Sequence, residues 1–210
     1  MWVRLVNATN PREASVARQF AVSFDYRCPF ARNAHESVIA GLRAGRDWDV
    51  TFSTFSLDQV HIEEGEPPVW EREPDVWGTG VNALLWGIAV RDAFADEFLG
   101  WHAAAFAARH EEGQKIAKVD VLRDVAESVG LDPDAVAAEV ATGRPLKVLA
   151  EEHTDAVKQH SMFGVPTFVV GDRAVFVRFM DRKNPDDIDR VLDLLEWTDL
   201  NEFKHTSVPR

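Results

Sequence analysis

The chain has 210 residues, 46% of them apolar, and a formal net charge of −12. That apolar share is enough for a sizeable core, and the length allows one large domain or two small ones. The negative charge argues against a nucleic-acid binder, which carries basic patches, and no stretch approaches the roughly 20 apolar residues of a membrane span. The first residues, Met1 to Asn7, lack the apolar core of a secretory signal. The single cysteine has no internal partner, which fits a reducing compartment. A cytoplasmic protein with no nucleic-acid or membrane partner is therefore expected. The seven histidines form no short-spaced ligand pair, so no metal site is expected either. Richness in Ala, Val, Asp and Arg over Lys points to a bacterial source.

In chain order, Val3, Leu5 and Val6 could add an edge strand, and residues 7–14 read as a loop. The first predicted strand covers 19–26, where Phe20, Val22, Phe24 and Tyr26 alternate onto one face. Pro29 suits a first helical position and opens a helix to about residue 44, with Gly45 as its C′ residue. A second strand follows at 48–56, and this βαβ order predicts parallel strands. Residues 57–73 are acidic and proline-bearing and read as a loop. Helices are predicted at 75–93, 96–110, 120–129, 132–141 and 145–160. After Gly164-Val165-Pro166 come a strand, a Gly171-Asp172 turn, a returning strand at 174–178 and a helix opened by Asn184-Pro185. Residues 198–210 read as a tail.

The chemistry centres on Phe24-Asp25-Tyr26-Arg27-Cys28-Pro29-Phe30-Ala31. With Pro29 at the first helical position, Cys28 is the N-cap. There the unpaired N–H groups and the helix dipole favour thiolate, the nucleophilic form. Asp25 could accept a proton near the thiol, though such a residue more often caps the backbone or pairs with Arg27. His35 lies about 10 Å along the helix axis from Cys28, too far for direct proton transfer, and reads as a surface or packing residue. Five of the seven tryptophans lie between residues 48 and 101, and Trp77 among them could wall a pocket over Cys28 or simply fill a core. Arg178, Arg182 and Lys183 could hold carboxylates of a small thiol, although a charged face is usually only wet.

The order β-α-β, a helical interval, then β-β-α resembles the thioredoxin fold: α/β with an all-helical insertion domain. Cys-Pro at the first helix and Gly-Val-Pro-Thr before the third strand narrow the resemblance to the DsbA-like group, including FrnE-type proteins and 2-hydroxychromene-2-carboxylate isomerases. The resemblance implies a discontinuous thioredoxin-like domain at 19–57 and 164–197, an insertion at 58–163, and extensions at 1–18 and 198–210. It places Cys28 at the nucleophilic position of a Cys-x-x-Cys motif and Pro29 and Phe30 between the thiols. Val165-Pro166 falls at the cis-proline segment that positions an incoming substrate. Ala31 stands where the resolving cysteine would be, so a mixed disulfide must be released by an external thiol. The implied activity is monothiol thiol–disulfide exchange. A small-thiol-dependent transferase or isomerase and a non-catalytic binding protein remain alternatives. No tightly bound cofactor is expected. Glutathione or mycothiol would be the co-substrate, a small thiol or disulfide the substrate, and a homodimer is left open.

Overall fold

The computed structural model describes residues 17–200. The expected edge strand at Val3–Val6 and the loop at 7–14 lie outside them, as does the chain beyond residue 200. Strand β1 (Arg18–Phe24) pairs in parallel with β2 (Trp48–Thr54), Phe20 opposite Val50 and Val22 opposite Phe52. Helix α1 (Pro29–Arg43) joins them. Its end is a Schellman motif. Gly45 takes φ +78° and donates to Leu42 O at 3.1 Å, and the Arg46 N–H donates to Gly41 O at 3.0 Å.

Both strands stop about two residues short of the predicted ends, each for a local reason. Cys28 N–H donates to Asp25 O at 3.0 Å, and this turn swings the chain from β1 into α1. Beyond β2, the Ser56 hydroxyl accepts the Gln59 N–H and caps a short helix, α2 (Leu57–Val60). The segment expected to be all loop thus contains α2 and a 3-10 turn at Val69–Glu71.

Five helices follow, α3 (Val81–Ala93), α4 (Phe98–His110), α5 (Val119–Ser128), α6 (Pro133–Ala141) and α7 (Arg144–His160). Helix α3 begins at Val81, not at 75. Pro74–Val76 makes only a 3-10 turn, and Trp77 is extended. The Asp58 carboxylate accepts the Gly80 N–H at 2.9 Å and occupies the space where a Cβ on Gly78 would sit. That close approach holds this stretch out of the helix.

Strand β3 (Thr167–Val170) returns to pair antiparallel with β1 and with β4 (Arg173–Phe176), giving the sheet order β2-β1-β3-β4. Val177 N–H still donates to Pro166 O at 3.1 Å in register with the ladder, but Pro166 has no N–H to return, so β4 ends at Phe176. Helix α8 (Pro185–Glu196) buries Ile188, Val191, Leu192 and Leu195. Trp48, Trp86 and Trp101 are buried in the core, and Trp70 and Trp77 pack half-buried against it. No helix among the described residues is long and apolar enough to cross a membrane.

Candidate active site

The β1–α1 turn and the segment before β3 converge on Cys28. Its Sγ accepts the Ala31 N–H at 3.4 Å, and its S–H points at the Val165 carbonyl, 3.2 Å away. The Val165–Pro166 peptide bond is cis. Two hydroxyl side chains hold this loop, Ser23, which sequence reasoning passed over, and Thr167 of the Gly-Val-Pro-Thr motif. Ser23 Oγ accepts the Thr167 N–H at 2.9 Å, and the Thr167 hydroxyl donates to Gly164 O at 2.8 Å. Ser23 carries no signal in sequence, because its bond to Thr167 spans 144 residues that only folding brings together.

The N–H groups of Phe30 and Ala31 and the charge of Arg178 draw the Cys28 thiol downward, but burial is the larger effect and pushes it up. The expectation of a thiolate-favouring N-cap is therefore only half met. The cap donors are in place, yet Cys28 is only 9% exposed, and removing its thiol from water favours the neutral form. The bond to Val165 O acts in the same direction, since only the protonated sulfur can make it.

Asp25 is fully buried. Its two oxygens accept the Arg27 N–H at 2.8 Å and the Leu57 N–H at 2.9 Å. Burial raises its carboxyl despite these donors. Its bonds are those of a backbone cap. Arg27 reaches Asp58 at 2.7 Å and Asp25 at 3.5 Å, which spends its charge. Trp77 donates its indole N–H to Arg72 O at 3.1 Å. Arg182 is locked onto Glu36 and Glu111, each at 2.6 Å. Lys183 lines a groove of about 380 Å³ between α1 and α4. Among the described residues, no group of acidic, histidine or cysteine side chains could hold a metal ion.

On the inner side of the same segment, His35 is fully buried, so it packs and is not a surface residue. Its Nε2 lies 3.1 Å from Ser23 O, its Nδ1 lies 2.8 Å from His102 Nε2, and His102 Nδ1 lies 2.7 Å from the Tyr26 hydroxyl. A carbonyl only accepts, so His35 Nε2 carries the hydrogen and its Nδ1 accepts. His102 Nε2 must then donate, its Nδ1 accepts, and Tyr26 O–H donates. One proton arrangement satisfies every atom with both rings neutral. Burial lowers His35 to about 4 and holds His102 well below the usual histidine range.

Comparison with known proteins agrees with this architecture. Residues 93–193 match the family model of the DSBA-like thioredoxin domain. The solved structure of oxidised BdbD from Bacillus subtilis superposes with a TM-score of 0.60 at 14% identity, covering 86% of this chain and 88% of that one. A 2-hydroxychromene-2-carboxylate isomerase superposes with a TM-score of 0.59 at 16% identity, covering 83% and 93%. The uncharacterized protein YwbO of Bacillus subtilis is 25% identical over 175 residues, 72% of this chain and 86% of that protein. The chain has a DsbA-like thioredoxin fold. Its fold is shared by thiol–disulfide oxidoreductases and by an isomerase, and Cys28 is its one cysteine. The matched residues begin within α3, so the Cys28 motif stands outside them.

Proposed function

We propose that this protein is a thiol–disulfide exchange enzyme that works through Cys28 alone. The observation that carries the reading is the seat of that sulfur. It caps α1, receives the Ala31 N–H and lies 3.2 Å from the carbonyl preceding Pro166. In the step proposed, Cys28 sulfur attacks one sulfur of a disulfide. One S–S bond breaks, another forms to Cys28, and the Cys28 proton ends on the departing sulfur. Ala31 supplies no second thiol, so a low-molecular-weight thiol such as glutathione or mycothiol must attack the mixed disulfide to close the cycle. Such a cycle suits a cytoplasm rich in small thiols.

Pro29 and Phe30 shape the cap, and Val165 and Pro166 position the substrate sulfur. Mass spectrometry after incubation with glutathione disulfide tests the reading. A stoichiometric adduct on Cys28, removed by added glutathione, is expected. Failure to form an adduct while iodoacetamide still labels Cys28 would sink it.

A second reading is favoured by the burial that keeps the thiol protonated. A proton-bearing N-cap can donate to the sulfur of a bound small thiol, as a transferase or isomerase requires. Conjugation or isomerisation that persists in Cys28→Ser, with exchange lost, would select this reading over the first.

A further inference from the structure

Among the arginines and lysines near the site, Arg178 differs from Arg27 and Arg182. Those two are neutralised by carboxylates. Among the described residues, no carboxylate lies within ion-pair distance of Arg178. Its guanidinium is not loose, however. It lies 5.2 Å from the centroid of the Phe30 ring and 5.6 Å from that of Phe176, within the range of cation–π contact on both.

The backbone beneath it is pinned on either side. Val177 N–H donates to Pro166 O at 3.1 Å, and Phe179 O accepts Asn33 Nδ2–H at 2.8 Å. Val177 is thus tied to the cis-proline segment and Phe179 to α1, the two elements that enclose Cys28. Phe179 is buried and Arg178 exposed, as alternation along an extended segment requires. The Phe176 ring packs against Gly164 on one side and the Phe163 ring, at 5.0 Å, on the other. Among the described residues an unneutralised cation therefore stands over an aromatic wall, close enough for its charge to act on the Cys28 thiol.

We propose that Arg178 is the specificity residue of this site, receiving the carboxylate of a low-molecular-weight acidic disulfide or thiol while its sulfur exchanges with Cys28. This inference rests on the exchange reading above. The guanidinium fork matches a carboxylate with two parallel N–H donors, and its contacts with the Phe30 and Phe176 rings hold it in place. The chemistry favours glutathione, which carries carboxylates, over mycothiol, which has none. Arg178 takes no part in the bond changes. The S–S bond that breaks is the substrate's, and the proton leaving Cys28 goes to the departing sulfur as before.

The test compares two chromogenic disulfides by stopped flow: dithiobis(nitrobenzoate), which is dianionic, and dithiodipyridine, which is neutral. Cys28 is the only thiol, so each signal reports on it alone. In Arg178→Gln the rate with the dianion should fall about tenfold further than the rate with the neutral reagent, the size of one charge-assisted contact, while the smaller loss shared by both reports the Cys28 thiol released from the Arg178 charge. Arg178→Lys should recover part of the loss, and added salt should erode the wild-type preference. Equal loss with both reagents would mean that Arg178 acts on the thiol itself, and no loss with either would mean that it binds nothing. Both results overturn the proposal. If the wild type reacts with neither disulfide yet is alkylated by iodoacetamide, the exchange reading fails and takes this proposal with it.

Discussion

Cys28 and His35 sit on one element, at the N-cap and within α1, and burial acts on both in the same sense: each is held neutral. Their surroundings make the outcomes different. His35 belongs to a closed chain, Ser23 O to His35 to His102 to Tyr26, in which every hydrogen is assigned and nothing remains to bind. Cys28 has the Ala31 N–H on one side and a carbonyl on the other, with a small exposed face left over. Its protonated form is favoured, yet its cap donors are those a thiolate would use. A buried polar group with a completed set of partners is structural. One whose partners suit either charge state, beside an open face, is equipped for chemistry.

Acid should break the closed side hardest. His35 and His153 are lowered to about 4, and His102 is held well below the usual histidine range. Unfolded histidine titrates near 6.5. As pH falls below about 6.5 the unfolded chain takes up protons that the folded chain refuses, so stability is full above that pH and is lost going down. Each of these buried histidines contributes a loss of about 1.4 kcal/mol per pH unit until its folded value is reached. Urea midpoints from pH 7 to pH 4.5 check this, and a flat profile would contradict the neutral assignment of the chain.

Breaking the chain by substitution comes next. His102→Leu leaves the Tyr26 hydroxyl and His35 Nδ1 without partners, each costing roughly 1–3 kcal/mol. Urea denaturation reads the loss, and the rate of Cys28 alkylation in the folded variant should stay within about twofold of wild type. The mirror substitution, Cys28→Ser, should abolish mixed-disulfide formation while shifting stability by less than about 1 kcal/mol, because a hydroxyl also caps a helix. Calorimetry beside mass spectrometry separates the two effects. Smallest is Gly45→Ala at the far end of α1. No atom obstructs a Cβ there, but φ of +78° is costly for a side chain. A loss of about 1 kcal/mol is expected, with thiol reactivity unchanged.

The local grammar of the chain was readable without a fold. Pro29 opening α1, Gly45 closing it, Pro133 and Pro185 opening α6 and α8, and the alternation of β1 all act over a few residues. Predicted ends failed where a distant group intervened. Asp58 keeps residues 78–80 out of α3, and Pro166, opposite Val177, has no N–H with which to extend the β4 ladder. His35, read as a surface or packing side chain, joins a buried chain because His102 meets it from 67 residues away.

The sequence by itself determined that Cys28 would cap a helix and lack a second thiol at Ala31, because capping and spacing are properties of adjacent residues. Only the tertiary structure decided what that sulfur experiences. Burial lifts it, the Val165 carbonyl faces it across 137 residues of chain, and among the described residues Arg178 has no carboxylate partner while Arg27 and Arg182 are paired. Desolvation and pairing depend on which surfaces meet, and that is fixed only when β1, α1 and the cis-proline segment close on one another.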